Sequence, residues 1–184
     1  MNELGMKKIF ALCLLTGPAF AENCPAAPDH TAAQSALYGQ LQELRTPVGA
    51  NDLSDALLQL WTDAPNEKAQ ALLDQGVRMR ARSNLLGARV LLDQLIEYCP
   101  DYAEGYNQRA FTNFLAGNLD GALVDLDDAL RLNPAHTGAI TGKAMTLIRL
   151  GRNEEAQILL REAVDLNPWL AARSLIVEPQ GTEI

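Results

Sequence analysis

The sequence is poor in the groups on which chemistry is usually built. It has two histidines, His30 and His136, three cysteines, and an aromatic content of only 5%. Neither histidine has a second histidine or a cysteine pair at metal-ligand spacing, so no metal centre is expected and both read as surface side chains. There is no Gly-x-Ser-x-Gly elbow, no glycine-rich phosphate loop ending in Lys-Ser or Lys-Thr, and no Cys-x-x-Cys. Hydrolase, nucleotide-binding and thioredoxin-like readings thereby lose their main support. Asp125, Asp127 and Asp128 cluster, yet they lack the glycine and the distal glutamate of an EF-hand loop and fall in a helical stretch. No catalytic residue and no cofactor is expected, and the chain reads as a non-enzyme.

Positive charge is scarce as well. Fifteen Lys and Arg stand against 23 Asp and Glu, a formal net charge of −8, which makes nucleic acid a poor partner. The plain reading of this charge is a solvated surface, and the sharper one is a preference for basic partners. Long apolar runs are missing too. The run Ile9 to Leu15 is far shorter than the roughly 20 residues that cross a bilayer. It follows Lys7 and Lys8 and precedes the small-residue pattern Ala19-Phe20-Ala21, so residues 1–21 read as a cleaved secretory signal, whether translation starts at Met1 or Met6. Cys13 lacks the context of a lipoprotein signal. Cleavage would remove one acid and two bases, giving −9, and would leave no membrane span. The expected location is the periplasm or the extracellular space.

Two cysteines then remain, Cys24 and Cys99, in a compartment where thiols oxidise. A bridge between them is expected, against the alternative of two unpaired thiols. It requires the N-terminus to fold back onto the end of a helix.

What the chain has in plenty is apolar residues, 48%, chiefly Leu and Ala. That composition favours helix and suffices for one core. Pro100, Pro134 and Pro168 stand 34 residues apart, and fixed columns recur between them: Gly76, Ala110 and Ala144; Ala88, Ala122 and Ala156; Leu92, Leu126 and Leu160; Leu95, Ala129 and Ala163. Spacings of four and then three residues describe one helical face, and small residues let helices approach closely. Turn residues divide each copy into two helical runs: Ser83-Asn84, Gly117-Asn118 and Gly151-Arg152-Asn153. The expected first helices span 70–82, 104–116 and 138–150, and their partners 85–97, 119–132 and 153–166.

This pattern resembles the tetratricopeptide repeat, over residues 69–102, 103–136 and 137–170. The middle copy, with Tyr106-Asn107-Gln108-Arg109-Ala110 and Asp125-Leu126-Asp127-Asp128-Ala129, is the clearest, and Leu95 is the main departure. The resemblance implies an all-α, right-handed superhelical solenoid of antiparallel helix hairpins. Residues 22–68 read as a degenerate hairpin capping its N-terminal end, and 171–184 as a short C-terminal cap with a mobile tail. It also implies an ion pair between Arg109 and Asp125 within the second hairpin. The concave surface would present Leu73, Val77, Arg80, Asn107, Phe111, Phe114, Thr141, Met145, Ile148 and Arg149 to a protein or peptide partner. The alternative is that the protein's own terminal segments bury this strip as ordinary core. Function is accordingly expected to be that of a binding adaptor of the cell envelope, or of an accessory subunit or chaperone of an envelope enzyme system for cofactor attachment or cell-wall assembly. Neither the partner's identity nor the oligomeric state is written in the sequence.

Overall fold

Where the three prolines fall, helices end. In the computed structural model α4 (Leu85–Tyr98), α6 (Leu119–Leu132) and α8 (Asn153–Leu166) each stop two residues before one, because proline lacks the donor that would continue the ladder. The structure describes residues 23–177. The signal-like segment 1–21 and the tail beyond Val177 lie outside the described residues. Among the described residues there is no strand. The other helices are α1 (Thr31–Glu43), α2 (Ala50–Thr62), α3 (Glu67–Ala81), α5 (Ala103–Leu115) and α7 (Thr137–Arg149), followed by a 3-10 turn at Ala171–Leu175.

The turn inside each repeat uses one geometry three times. Ser83, Gly117 and Gly151 adopt left-handed φ of 61°, 78° and 77°. The next amide donates back to the preceding helix, Asn84 to Met79, Asn118 to Asn113 and Arg152 to Leu147, as in a Schellman closure. Asn84 and Asn118 then cap the second helix by accepting from the amides of Gly87 and Gly121. α3 begins three residues earlier than the sequence pattern suggests because Asn66 caps it through the Ala69 amide.

The small-residue columns are the contact surfaces. Ala88, Ala122, Ala129, Ala144, Ala156 and Ala163 are fully buried, as are Leu92 and Leu160. At Gly76 an added methyl would lie 2.9 Å from Leu92 Cγ, so only glycine permits this approach of α3 and α4. Leu95 packs against Gly105, where an added methyl would lie 3.5 Å from the leucine side chain, whereas one repeat on both positions are alanine, Ala129 and Ala139, in one buried cluster.

The N-terminal hairpin takes a place that an end cap does not. Instead of extending the stack ahead of α3, α1 rests on α8 and α2 on α5. Long-range bonds hold it there. Tyr38 donates to the Ala135 carbonyl, Gln34 exchanges two bonds with Asn133, Gln42 donates to the Asp165 carbonyl, and Trp169 Nε1 donates to the Leu41 carbonyl at 2.9 Å. The hairpin therefore straps the second and third repeats together on one side of the solenoid.

Candidate binding site on the inner face

First helices α3, α5 and α7 lie side by side, and α2 leans against α5. Between α2, α5 and α7 they leave a cavity of about 350 Å3. Its walls include Leu57 and Trp61 from α2, Phe111 and Phe114 from α5, Met145 from α7, and Leu126 at the base. The lining carries no charged side chain. Phe111 is 48% and Met145 41% exposed, so the strap walls the strip without burying it.

Of the ten groove candidates, Asn107, Phe111, Phe114, Thr141 and Met145 line this cavity. Arg80 and Arg149 stand on its aromatic wall, with guanidinium carbons 4.6 and 4.7 Å from the ring centroids of Phe111 and Phe114. Three candidates are corrected. Leu73 is core, 1% exposed against Leu92, Leu95 and Ala64. Val77 packs, partly buried, on that same cluster, as do Cys24 and Ala27. Ile148 packs on the core between α7 and α8, with Ala172 and Ile176 of the C-terminal turn.

His136 is the second correction. It is 1% exposed, not a surface residue. It caps α7 by accepting from the Ala139 amide through Nδ1, which leaves Nε2 to donate to Glu104 Oε2 at 2.8 Å. Trp61 stacks on its ring with centroids 4.0 Å apart. Buried Glu104 also accepts from the side-chain amides of Asn107 and Gln108, so its carboxylate is satisfied by three donors. This network fixes the Gln108 amide, whose nitrogen must face Glu104. Its oxygen, and the Thr141 hydroxyl, are then buried without a hydrogen-bond partner.

Arg109 bonds Asp125 through Nε and Nη2, the latter at 2.6 Å, and reaches Asp93 of α4 at 2.8 Å. Burial alone would lower its pKa, but the bonds to Asp125 and Asp93 outweigh burial and raise it. Asn113 adds a third donor to Asp125. Lys143 pairs with Asp127 and Arg131 with Asp128, so each member of the acidic cluster has its own cation. Arg80 differs: burial pulls its pKa down, partly countered by the field of Glu104. Cys24 and Cys99 are joined, with Cα atoms 5.2 Å apart. His30, near that bridge, pairs with Asp63 at 2.8 Å. No group of three or more potential ligands that could hold a metal occurs among the described residues.

Comparison with known proteins agrees with this geometry. The tetratricopeptide repeat family profile matches residues 113–175. A TPR repeat-containing protein of Rhizobium etli is 29% identical over 96 residues, 52% of this chain and 46% of its own length. Residues 113–175 thus match the tetratricopeptide repeat, and the described helices share the tetratricopeptide solenoid fold. The chain spans under half of that relative. Solved tetratricopeptide structures share the fold at low identity. The first TPR of Spaghetti (RPAP3) bound to the HSP90 peptide SRMEEVD aligns with a TM-score of 0.58 at 20% identity, over 59% of this chain and 86% of that one. The TPR2B domain of yeast Sti1, in complex with pHsp70, gives 0.56 at 23% identity, over 60% and 91%. MamA gives 0.53 at 19% identity, over 67% and 72%. The repeats supply α5 and α7, whereas Ser54, Leu57 and Trp61 come from the strap. Sequence reasoning missed these wall residues, along with Gln108, Asn167 and Leu170, because a repeat register says nothing about what lies across it. The one available signal was apolar surplus in α2, where Leu53, Leu57 and Leu60 continue the spacing of the repeats.

Proposed function

We propose that this protein is a non-enzymatic adaptor of the cell envelope that holds a protein or peptide on the inner face of its repeats. The carrying observation is the open apolar cavity between α2, α5 and α7, with Phe111 and Met145 left half exposed. A soluble monomer gains nothing from keeping these side chains in water. The tetratricopeptide fold is a protein-interaction scaffold, and two of the similar structures are complexes, one with an HSP90 peptide and one with pHsp70. The signal-like residues 1–21 and the Cys24–Cys99 bridge support an oxidising destination outside the cytoplasm.

A photo-crosslinking amino acid at position 111 tests the reading in cells, with Val124 on the outer helix α6, 62% exposed, as the control position. The adaptor role expects one defined envelope protein captured at 111 and not at 124. Stoichiometric capture of an enzyme subunit would instead mark an accessory subunit of an envelope enzyme system. Identical products from both positions would contradict a binding face. Cell fractionation, with the protein found in the cytoplasm, would contradict the envelope assignment.

A further inference from the structure

The cavity lining is uncharged, and the charges that stand against it are both positive. Elsewhere Arg89, Arg109, Arg131, Lys143 and Arg152 each pair with a carboxylate. Arg80 and Arg149, the two cations on the aromatic wall, have no carboxylate within ion-pairing distance among the described residues. Each donates one N–H to a backbone carbonyl, Arg80 to Gln108 and Arg149 to Phe114. A guanidinium has five N–H groups, so most of their donors are uncommitted. The protein carries an excess of acid, yet this rim carries two arginines without a direct carboxylate partner, Arg80 feeling only the field of Glu104.

Inside, the cavity is apolar and small. Its volume of about 350 Å3 lies at the low end of ligand pockets, which run from about 300 to 1,000 Å3. It is large enough for one bulky side chain. Two oxygens of the lining residues, Gln108 Oε1 and Thr141 Oγ1, lack partners. Both belong to residues of the lining, and a donor reaching them from the cavity would satisfy them.

Building on the adaptor reading, we propose that this cavity is an anchor pocket. It takes one large apolar side chain, of leucine to tryptophan size, from a partner segment in which acidic residues flank that anchor. The apolar group fills the space between Trp61, Phe114 and Met145, and the flanking carboxylates pair with Arg80 and Arg149. A peptide also brings backbone N–H donors for the Gln108 oxygen. An ionised amphiphile offers the tail and the carboxylate but no donor, which favours a polypeptide.

The test uses the purified oxidised protein and fluorescein-labelled heptapeptides that are acetylated and amidated, so that no terminal charge contributes. The centre is Trp, Leu or Ala, the two flanking residues are Glu, Ser or Lys, and the remainder is Gly and Ser. Anisotropy is expected to rank Glu-Trp-Glu tightest, with loss of the anchor to Ala or of the flanks to Lys each weakening binding by about tenfold or more. Met145→Trp, which fills the pocket from a half-exposed position, is expected to weaken Glu-Trp-Glu by at least about tenfold. Arg149→Glu is expected to turn the preference toward Lys flanks. Thr141→Leu serves as a second filling variant should the first not fold, with melting curves recorded for each. Equal binding across the panel, no response to either filling variant, or dodecanoate bound in preference to every peptide would overturn the proposal. If crosslinking at 111 identifies a partner while the panel shows no discrimination, the adaptor role survives and the anchor pocket does not.

Discussion

Reducing the bridge between Cys24 and Cys99 is expected to lower folding stability by about 3–4 kcal/mol. The two cysteines are separated by 75 residues, and the loop they close contains the whole of α1 to α4. On chain entropy alone, cross-linking a loop of that size removes about 4 kcal/mol from the unfolded ensemble, and residual compactness of that ensemble trims the gain. Set against a total stability of about 5–15 kcal/mol, the loss is large. Yet the strap itself should stay docked, because Tyr38, Gln34, Gln42 and Trp169 hold it by bonds independent of sulfur. Urea unfolding followed by circular dichroism, with and without a phosphine reductant, measures the difference, and a Cys24→Ala chain should coincide with the reduced protein. A reduction penalty below about 1 kcal/mol would refute the entropic reasoning, and loss of the Trp61 environment before global unfolding would refute the independence of the strap.

Four further outcomes follow from named contacts. Arg109→Ala leaves Asp125, 4% exposed in its side chain, with Asn113 as its remaining partner, and should cost about 3 kcal/mol, whereas Arg109→Lys should cost about half that; a double-mutant cycle with Asp125→Ala checks the coupling. His136→Phe keeps the stack with Trp61 but removes the cap of α7 and one donor to buried Glu104, and should cost about 2–4 kcal/mol by chemical denaturation. Ser83→Gly relieves a left-handed φ of 61° and should raise stability by about 0.5–1 kcal/mol, the entropy of glycine offsetting part of the gain. Gly76→Ala forces a methyl to 2.9 Å from Leu92 and should destabilise by about 1–3 kcal/mol in the same assay.

The repeat architecture was legible because its signals are local and periodic. Prolines, left-handed turn positions and small-residue columns recur every 34 residues, and each reports a backbone or packing constraint inside one hairpin or between adjacent ones. The Arg109 to Asp125 contact lies within one hairpin and came from the resemblance of the middle copy. The pairing of the cysteines came from their number and from the exported destination that residues 1–21 led one to expect. What the sequence hid is set by contacts across 97 to 128 residues, such as Tyr38 to Ala135 and Trp169 to Leu41. No period encodes these, so the strap read as an end cap, and His136, which it covers, read as a surface side chain. Leu73 failed for a related reason. The position faces a groove in a free-standing repeat, but here it is buried in a cluster to which Ala64, from the end of the N-terminal hairpin, and Cys24 contribute.

The central claim is that the strip between α2, α5 and α7 is a binding surface and not self-buried core. Urea unfolding and partner capture measured together on Phe111→Ala and Met145→Ala test it most directly. The account predicts stability within about 1 kcal/mol of the parent, as for half-exposed side chains, with capture abolished. A stability loss of several kcal/mol with capture unchanged would contradict it.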